Sequence, residues 1–474
     1  MPPNLAAGIV ALAALVLGVS DADGGSSYTE VARLPGSAST IGLAGPTLSG
    51  AAVLWGEREQ DGSVSVRRAT LGARGTTTVY RAPAPALPPD AGRPGYEVIA
   101  LQQVATVAST ATRVAFVRTV ILDYRPRCLD DPTPCGAPSF AVPLFADLWS
   151  GPASGPVHRL AGGPVSTLAG ACKRWRPTSV DLPRAGVVYS EQLDPCARSS
   201  SQPRRARVVR LVGGRRSVLA TVSKGALGPV AAAGSWAAWR ADSASSKPTL
   251  VVSSLRDRVL RYRVGLRTSE ASTFDVDERG TIALTFRPSG PCGALELAVA
   301  TPFAQTPRSL RVWTKTPVVR IDGGRVLAAV ERTPCAPVTE LALVGVRGHR
   351  QSLVSFRDSE PRSLADSFAL QGRRFAFAST QRAGTGAATF TTSVYIGTVG
   401  AEARTSVGSG EGRNRTGDTT VFSRVLYRLS YLARGAKCSR AGPVQNAGRN
   451  HEISPRPGVR AGATAPRTSA VTGR

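Results

Sequence analysis

The sequence predicts an all-β fold, on three observations: a short apolar strand recurs along the chain, a tight turn precedes it, and an alternating strand follows it. The clearest copy is at residues 277–286, where the turn Asp-Glu-Arg-Gly leads into Thr-Ile-Ala-Leu-Thr-Phe. Seven copies of the apolar strand begin at Val53, Val114, Val187, Ala237, Ile282, Leu327 and Phe375, at spacings of 45–73 residues. Several short strands in a repeat of about 40–50 residues are typical of a β-propeller. We therefore predict a seven-bladed β-propeller of four-stranded blades within residues 28–404.

Each repeat predicts four strands, A to D, of which B is the apolar strand. The B strands are apolar throughout, as expected of strands packed on both faces, whereas C and D alternate, as expected nearer the rim. The A strands are predicted at 41–45, 105–109, 178–182, 228–232, 273–276, 318–321 and 368–370. The C strands are predicted at 63–71, 145–149, 206–211, 250–254, 294–300, 340–346 and 393–399. The D strands are predicted at 77–81, 157–160, 217–221, 259–264, 309–314 and 351–356.

An additional strand is predicted near the N-terminus. Residues 28–34, Tyr-Thr-Glu-Val-Ala-Arg-Leu, are similar to the D strands and precede the first A strand. An outer strand from this position would complete the last repeat and cover a sheet edge. We therefore expect this strand to close the ring by joining the seventh blade.

The turns between strands A and B contain turn-forming residues. Asp277 and Gly280 bracket one turn, and Asp322 begins another with two glycines after it. Aspartate caps such a turn with its side chain, and glycine accepts the positive φ that the turn requires. These aspartates are therefore predicted to be structural rather than acids or metal ligands.

The hairpin Asp-x-x-Gly followed by apolar-Ala-apolar resembles the repeat of TolB-type, WD-repeat-like β-propellers. Residues 277–286 and 322–330 carry the resemblance best, and residues 372–377 carry it less closely. The Ser-Pro-Asp-Gly turn of that family is absent. The chain also resembles secreted propeller proteins of high-GC bacteria. The resemblance implies a propeller fold, a location outside the cytoplasm and a scaffold or binding role, and it assigns no catalytic residue.

Residues 1–27 are expected to be an export signal. An apolar run without charge covers residues 5–19, which is short for a membrane span of about 20 residues. Small residues follow at 20–22, although no lysine or arginine precedes the run. An uncleaved N-terminal anchor is the alternative. Either interpretation predicts a secreted or cell-surface protein with no other membrane span.

The predicted repeats contain six cysteines, an even number that suits an oxidising compartment. No pair has Cys-x-x-Cys spacing, so neither a metal site nor a cofactor is predicted. All six fall in B–C or D–A connections, which emerge on the same face of a propeller. This placement predicts the disulfides Cys128–Cys135, Cys172–Cys196 and Cys292–Cys335. Cys438 lies outside the repeats.

The cysteine-bearing face also contains the predicted ligand-binding residues. Lys173, Arg174, Trp175 and Arg176 follow Cys172 directly. A tryptophan among three cations favours an anionic or sugar-like ligand, and long loops on a rigid scaffold are common binding sites. The alternative is a solvated loop whose tryptophan packs on a disulfide.

The net charge of +27 comes mostly from arginine. Such charge suits attraction to a polyanion such as nucleic acid, anionic lipid or acidic wall polymer. The alternative is an arginine-biased genome, and the spread of arginines along the repeats favours this alternative. No specific nucleic-acid partner is predicted.

Few residues point to catalysis. His158, His349 and His451 are the only histidines, and they are expected at the surface. No nucleophile elbow, zinc-protease helix or phosphate-binding loop is present, so no catalytic residue is predicted. The acids Asp123, Glu191 and Asp275 are not placed relative to an axial channel by the sequence.

The predicted function is that of an exported, monomeric, non-enzymatic binding or scaffold propeller. Its working face is expected to be formed by the B–C and D–A loops, and its partner to be a protein, a glycan or an anionic wall polymer. The alternative is an extracellular hydrolase or lyase with carboxylates in the axial channel.

Residues 405–474 are predicted to be a disordered basic tail. Residues 414–433 resemble a transfer-RNA gene translated from its opposite strand: Asn-Arg-Thr fits the complement of a T-loop, and Leu-Tyr-Arg-Leu-Ser-Tyr fits that of a D-arm. The competing interpretation is a basic amphipathic helix over residues 421–432. We expect the folded domain to end before about Gly412 and the tail to be spurious translation.

Overall fold

A computed structural model of the chain describes residues 26–127, 139–165, 167–168, 174–193, 205–222, 227–241, 249–257, 260–265, 273–286, 294–302, 304, 306–331, 339–356, 362–383 and 389–400. Twenty-seven β-strands are defined within these residues, so the described part of the chain is all-β. The predicted export signal, all seven cysteines and the predicted tail lie outside the described residues.

The strands of the first half of the chain are β1 (Ser27–Pro35), β2 (Ala44–Ser49), β3 (Ala52–Arg58), β4 (Val64–Thr70), β5 (Thr76–Ala82), β6 (Tyr96–Ser109), β7 (Arg113–Pro126), β8 (Phe140–Pro152), β9 (His158–Gly162), β10 (Trp175–Asp181), β11 (Val187–Leu193), β12 (Arg205–Val212) and β13 (Arg215–Val222). The remaining strands are β14 (Leu227–Ala233), β15 (Trp236–Ala241), β16 (Thr249–Ser254), β17 (Leu260–Gly265), β18 (Phe274–Val276), β19 (Ile282–Phe286), β20 (Leu295–Ala300), β21 (Arg308–Asp322), β22 (Arg325–Glu331), β23 (Thr339–Gly345), β24 (Arg350–Ser355), β25 (Arg362–Gln371), β26 (Arg374–Ala383) and β27 (Thr389–Thr398).

The strands form antiparallel sheets in which neighbouring strands are consecutive along the chain, except that β1 pairs with β27. Four sheets have the orders β2-β3-β4-β5, β6-β7-β8-β9, β10-β11-β12-β13 and β14-β15-β16-β17, and a fifth has the order β1-β27-β26-β25. Strands β18 to β24 form one seven-stranded sheet. The inner strands β2, β6, β10, β14, β18, β21 and β25 contact one another in succession, and β25 contacts β2. Four-stranded meanders packed side by side on their inner strands are the architecture of a β-propeller.

The hydrophobic core lies between neighbouring sheets. One buried cluster joins Leu250 of β16 to Ile282 and Leu284 of β19. The first residue of every predicted B strand is buried. Close packing also requires one glycine: a Cβ on Gly56 would lie 2.5 Å from the Cβ of Val104 on the next sheet. Burial on both faces explains why the B strands are apolar throughout.

The N-terminal strand β1 pairs with the last strand, β27. Their antiparallel register runs from Ser27 opposite Thr398 to Pro35 opposite Thr391. The ring of Tyr28 packs edge-on against Phe377, with the ring centroids 5.6 Å apart. The strand predicted at residues 28–34 therefore lies at the outer edge of the sheet that contains β25, β26 and β27.

Strand β21 is longer than the sequence predicts. A D strand at 309–314 and an A strand at 318–321 are predicted separately, but the structure has one strand through Pro317. The N-terminal half of β21 pairs with β20 and its C-terminal half with β22, and the register shifts between Thr314 and Val319. Proline lacks the N–H for a ladder bond, so the exchange of partners occurs where the proline makes pairing weakest.

Strands β6, β7 and β8 also extend beyond the predicted blade. The extension has its own small core, in which Leu122, Tyr124 and Leu144 are buried. The rings of Tyr124 and Phe140 stack with their centroids 4.6 Å apart. Because this core is separate from the clusters between sheets, the extension forms a three-stranded arm that the repeat pattern does not predict.

No helix within the described ranges has both the length and the apolarity that crossing a bilayer requires.

Candidate functional site

The inner strands line a cavity of about 1400 Å³, which we call the axial cavity. The residues that line it include small apolar ones, among them Ala44, Ala108, Ala231 and Ala369. Small residues on the inner strands leave open space at the centre. A cavity of this size accommodates a small-molecule ligand.

Three charged residues line the axial cavity from the middle of inner strands: Asp181 on β10, Asp275 on β18 and Arg320 on β21. The residue before and the residue after each of them is a buried apolar residue. Successive side chains of a strand point to opposite faces, so the three charged side chains point away from the core and into the cavity.

Both aspartates accept backbone hydrogen bonds from the next sheet. Asp181 Oδ2 accepts from the N–H of Ala232 at 2.7 Å, and Asp275 Oδ2 accepts from the N–H of Ile321 at 2.9 Å. The second oxygen of each carboxyl accepts from the N–H of the following residue in its own chain. The aspartates therefore tie neighbouring inner strands together.

The carboxyl groups of Asp181 and Asp275 both have a raised pKa. Burial, and to a smaller extent the Asp181 carboxyl, raise the pKa of Asp275 to about 7 against the lowering effects of Arg320 and two backbone N–H groups. Burial also raises the pKa of Asp181, against the hydrogen bonds from Ala232 and Leu182 and the charge of Arg320. Near neutral pH, Asp275 is therefore divided between its acid and carboxylate forms.

Arg320 is close enough to affect the pKa of both aspartates, yet it forms no ion pair with a described carboxylate. Its Nη1 donates to the carbonyl oxygen of Val319 at 3.0 Å, and no other hydrogen bond joins its guanidinium to the described part of the chain. A guanidinium has five N–H donors. Arg320 therefore presents unused donors to the axial cavity.

The titration of Asp275 predicts how stability depends on pH. A carboxyl whose pKa rises on folding makes its full contribution below the unfolded pKa of about 3.8, and this contribution is lost as pH rises towards about 7. Asp275→Asn should make the decline in the free energy of unfolding between these pH values shallower. Chemical denaturation across this range measures the slope, which separates titration from any constant loss caused by the altered hydrogen bonds.

The control for this prediction is Asp61→Asn. Hydrogen bonds from Ser63 lower the pKa of Asp61, so its titration lies below the tested range. The Asp61 variant should keep the wild-type slope. An unchanged slope in Asp275→Asn would contradict the assignment of the raised pKa.

The predicted structural role of Asp277 is confirmed. Its Oδ1 accepts from the N–H groups of Arg279 and Thr281, each at 2.9 Å, and Gly280 has a φ of 79°. The other oxygen, Oδ2, accepts from the N–H of Gly324 at 3.1 Å. Asp277 therefore caps its own turn and also joins the turn of the next repeat.

Asp322 differs from the prediction of a turn cap. Its Oδ2 accepts from the N–H of Gly372, in the turn that follows β25. The structure gives it no hydrogen bond to its own turn among the described residues. Two glycines with positive φ, Gly323 and Gly324, form that turn without it. The role is still structural, because the carboxylate connects two neighbouring repeats.

Of the three acids that the sequence left unplaced, only Asp275 lines the axial cavity. Glu191 is buried on β11, where its Oε1 accepts from Arg207 Nε and Arg216 Nη2. Asp123 lies on the arm and accepts from Arg125 Nε at 2.9 Å. Asp181 and Arg320 were missed, although a charged residue between two apolar residues of a predicted inner strand is a signal that could have identified both.

Of the predicted ligand-binding residues, Arg174, Trp175 and Arg176 are described, and we call them the Trp175 edge. Lys173 lies outside the described residues. These three residues help line a cavity of about 170 Å³, together with Leu144, Phe145, Ala146, Gly162, Gly163 and Val165. Arg176 Nη1 donates to the carbonyl oxygen of Pro143 at 2.8 Å, which connects the start of β10 to the arm.

The Trp175 ring is held by a network of charged residues. The Arg207 guanidinium lies over the ring, 3.7 Å from its centroid, and Arg207 is itself bound to Glu191. Glu191 is buried, and Arg216 also donates to it. The ring is partly exposed, so a fixed aromatic surface faces solvent beside the smaller cavity.

The described histidines do not form a catalytic group. His158 is the first residue of β9, and His349 precedes β24; both are exposed. His451 lies outside the described residues. Within the described ranges, no three His, Cys, Asp or Glu residues are grouped so that they could hold a metal ion.

Comparison with known proteins gives structural matches without a sequence family. No protein-family model matches the chain, and no curated protein matches its sequence. Similar solved structures include the β-propeller domain of the trilobed protease from Pyrococcus furiosus, with 10% identity and a TM-score of 0.43 over 74% of this chain and 94% of that chain. An oligogalacturonate lyase in complex with manganese has 12% identity and a TM-score of 0.44 over 81% and 96% of the two chains. TolB from Acinetobacter baumannii has 13% identity and a TM-score of 0.33 over 72% and 79%. Likeness at this level carries no argument about activity or partners.

Proposed function

We propose that this chain is an exported, non-enzymatic binding or scaffold protein whose ligand contacts the Trp175 edge. The observation that carries the proposal is the Trp175 ring, which Arg207 and Glu191 hold in place beside a cavity between the arm and β10. A rigid aromatic surface loses little entropy on binding, and adjacent arginines attract anionic groups. The proposed partner is a glycan, an anionic wall polymer or a protein with an acidic surface.

The proposed scaffold is a seven-bladed ring. Counting the seven-stranded sheet as two blades that share β21 gives seven inner strands, and each of these contacts the next. The pairing of β1 with β27 supports closure by the N-terminal strand. A ring closed in this way leaves no free inner edge, which suits a platform with binding loops on one face.

The proposed location is outside the cytoplasm, as a monomer. The proposal rests on the apolar N-terminal run and on the even number of cysteines in the repeats. We propose that Cys128–Cys135, Cys172–Cys196 and Cys292–Cys335 are disulfides in the loops of the face that carries the Trp175 edge. Peptide mapping without reduction tests each pair separately.

Trp175→Ala is expected to weaken binding by about tenfold or more, because it removes the aromatic surface on which a ligand would stack. The probes are a panel of neutral and acidic oligosaccharides and immobilised dextran sulfate, used at a salt concentration of about 0.15 M. Retention and equilibrium binding measure the loss. Thermal unfolding should change little, because Trp175 is partly exposed.

The matched control is Trp236→Ala. Trp236 begins β15 directly after an A–B turn, so it lies at the end of the strands opposite to the Trp175 edge. Its ring lies against Gly280. The control should bind each probe as the wild type does. If Trp236→Ala abolished binding and Trp175→Ala did not, the proposed working face would be wrong.

A hydrolase or lyase is the second candidate, because Asp181 and Asp275 both line the axial cavity and both have a raised pKa. Against it, each carboxyl already accepts a backbone hydrogen bond at both oxygens. Such carboxyls are poorly placed for proton transfer to a substrate. Loss of a measured hydrolytic or eliminating activity in Asp275→Asn would favour the second candidate.

A further inference from the structure

The axial cavity contains an arginine whose charge no described carboxylate matches with an ion pair. Arg320 donates one hydrogen bond, to its neighbouring carbonyl, and has no ion pair with a described carboxylate. The two nearest acids, Asp181 and Asp275, direct their oxygens at backbone N–H groups instead. A guanidinium presents a planar fork of donors that matches an oxyanion in a two-point contact.

The charges around the cavity favour an anion near neutral pH. The charged residues that line it are Arg113, Arg184, Arg210, Arg256, Arg320, Asp181, Asp275, Asp277, Glu278 and Asp322. The arginines equal the acids in number, but the pKa values of Asp181 and Asp275 are raised, and Asp275, with a pKa of about 7, is only partly ionised near neutral pH. The sum of these charges is therefore positive at and below neutral pH.

The remaining acids add little negative potential inside the cavity. Asp277 accepts three backbone hydrogen bonds and Asp322 accepts one. Glu278 is exposed to solvent, where water screens its charge. Arg184 and Arg256 are also exposed, and their side chains make no hydrogen bond with another described residue, so they remain able to attract an incoming anion.

We propose that the axial cavity binds a small oxyanion ligand, one that bears a carboxylate, phosphate or sulfate group, with Arg320 as the residue that holds this group. The cavity volume of about 1400 Å³ suits a small molecule and not a polymer duplex. A cation is disfavoured because Arg320 repels it and the N–H groups already engage both carboxyls. This site is distinct from the Trp175 edge, so either proposal can fail without the other.

Protonation of Asp275 should control the affinity. The charged groups that affect it are Asp181 on β10 and Arg320 on β21. Strand β14, which lies between β10 and β18, has no charged residue, and the Asp277 carboxylate is hydrogen-bonded within the turns. An ionised Asp275 repels a bound oxyanion, so the acid form is the competent one. With a pKa of about 7, the competent fraction falls about tenfold between pH 6 and pH 8.

Isothermal titration of the full chain with sulfate and with malonate tests the proposal. Both probes keep their charge over the range from pH 6.5 to pH 8, roughly, so a change in affinity reports on the protein. At least one probe should bind, and its dissociation constant should rise several-fold over this range. Tighter sulfate binding would indicate a phosphate-like ligand, and tighter malonate binding a carboxylate ligand.

Three variants separate the site from the general positive charge. Arg320→Gln should abolish binding, and Arg320→Lys should weaken it because lysine lacks the planar fork. Arg263→Gln removes the same charge from an exposed position on β17, and it should bind as the wild type does. Equal binding by the wild type and Arg320→Gln would overturn the proposal, as would an equal loss in Arg263→Gln or no binding of either probe.

Asp275→Asn provides a second, independent variant if Arg320→Gln does not fold. An amide cannot ionise, so this variant should bind the probe at pH 8 nearly as tightly as at pH 6.5. A wild-type pH dependence in this variant, or wild-type affinity that does not change with pH, would overturn the role of Asp275 at the site.

Discussion

Removal of β1 is expected to abolish cooperative folding of the propeller. Without Ser27–Pro35, the strand β27 keeps its pairing with β26 but loses its outer antiparallel partner, which exposes unpaired N–H and C=O groups on that edge. The apolar side chains of Val31 and Leu34 also leave the cluster between the sheets. The combined loss of hydrogen bonds and packing is comparable with the whole stability of a domain, about 5–15 kcal/mol.

The comparison is between a chain that begins at Ser26 and one that begins at Gly36. The longer chain should unfold cooperatively in denaturant, and the shorter chain should aggregate or show no cooperative transition. A peptide of residues 26–35 should restore the transition when added to the shorter chain, because it can pair with β27. A scrambled peptide is the control. The same denaturation midpoint for both chains would contradict closure of the ring by β1.

The sequence predicted most of the strand positions because the inter-sheet core fixes their pattern. Every B strand is packed on both faces, so three or more consecutive apolar residues identify it, as at Ile282 and Leu284. The turn beside it can also be predicted from sequence, because Asp277 accepts backbone N–H groups of the turn and Gly280 adopts the positive φ that the turn requires. Apolar runs and turn-forming residues were therefore sufficient to predict the repeated strand–turn–strand unit.

The repeat pattern did not predict the course of β21 or the arm. Pro317 indicates a break between strands, yet each half of β21 has its own partner strand, and these tertiary contacts keep it extended. The arm interrupts the repeat, since the strands β6 and β7 continue well past the positions that the period requires. Apolar and polar residues alternate from Tyr96 to Val98, which is a local signal for a strand in the arm. This strand falls outside the regular period of the repeat.

The candidate sites were only partly predictable. Trp175 could be selected from its charged neighbours, but the Arg207 and Glu191 that hold it are distant in sequence and meet it only through sheet register. To predict that Asp181 and Arg320 line the axial cavity, one must know in which direction each side chain points. That direction depends on which strand is innermost, which is a property of the assembled sheets and not of the local sequence.

Loss of the Asp147 carboxylate is the second large effect that we expect. Asp147 on β8 is fully buried and lies directly opposite Arg118 on β7. Arg118 donates to it from Nε at 3.1 Å and from Nη2 at 2.6 Å. Burial lowers the pKa of Arg118, and the Asp147 carboxylate more than offsets this effect. A guanidinium is not deprotonated in proteins, so Arg118 stays charged when its partner is removed.

Asp147→Ala should therefore lower the free energy of unfolding by about 3–5 kcal/mol, because it leaves a charge in the interior without a counterion. The double variant Arg118→Leu, Asp147→Leu should lie within about 2 kcal/mol of the wild type, since it removes both charges and keeps apolar volume. Denaturant unfolding of the single and double variants forms a double-mutant cycle whose interaction energy should be large.

The control is the more exposed pair on the arm. Asp123 accepts from Arg125, whose side chain is 53% exposed. Solvent screens that pair, so Asp123→Ala should change the free energy of unfolding by about 1 kcal/mol or less. Equal losses for Asp147→Ala and Asp123→Ala would mean that water reaches Arg118 and that the pair does not lie in a low-dielectric interior. The contrast between the two pairs thus tests whether the sheet of β6 to β9 is packed on both faces at Asp147.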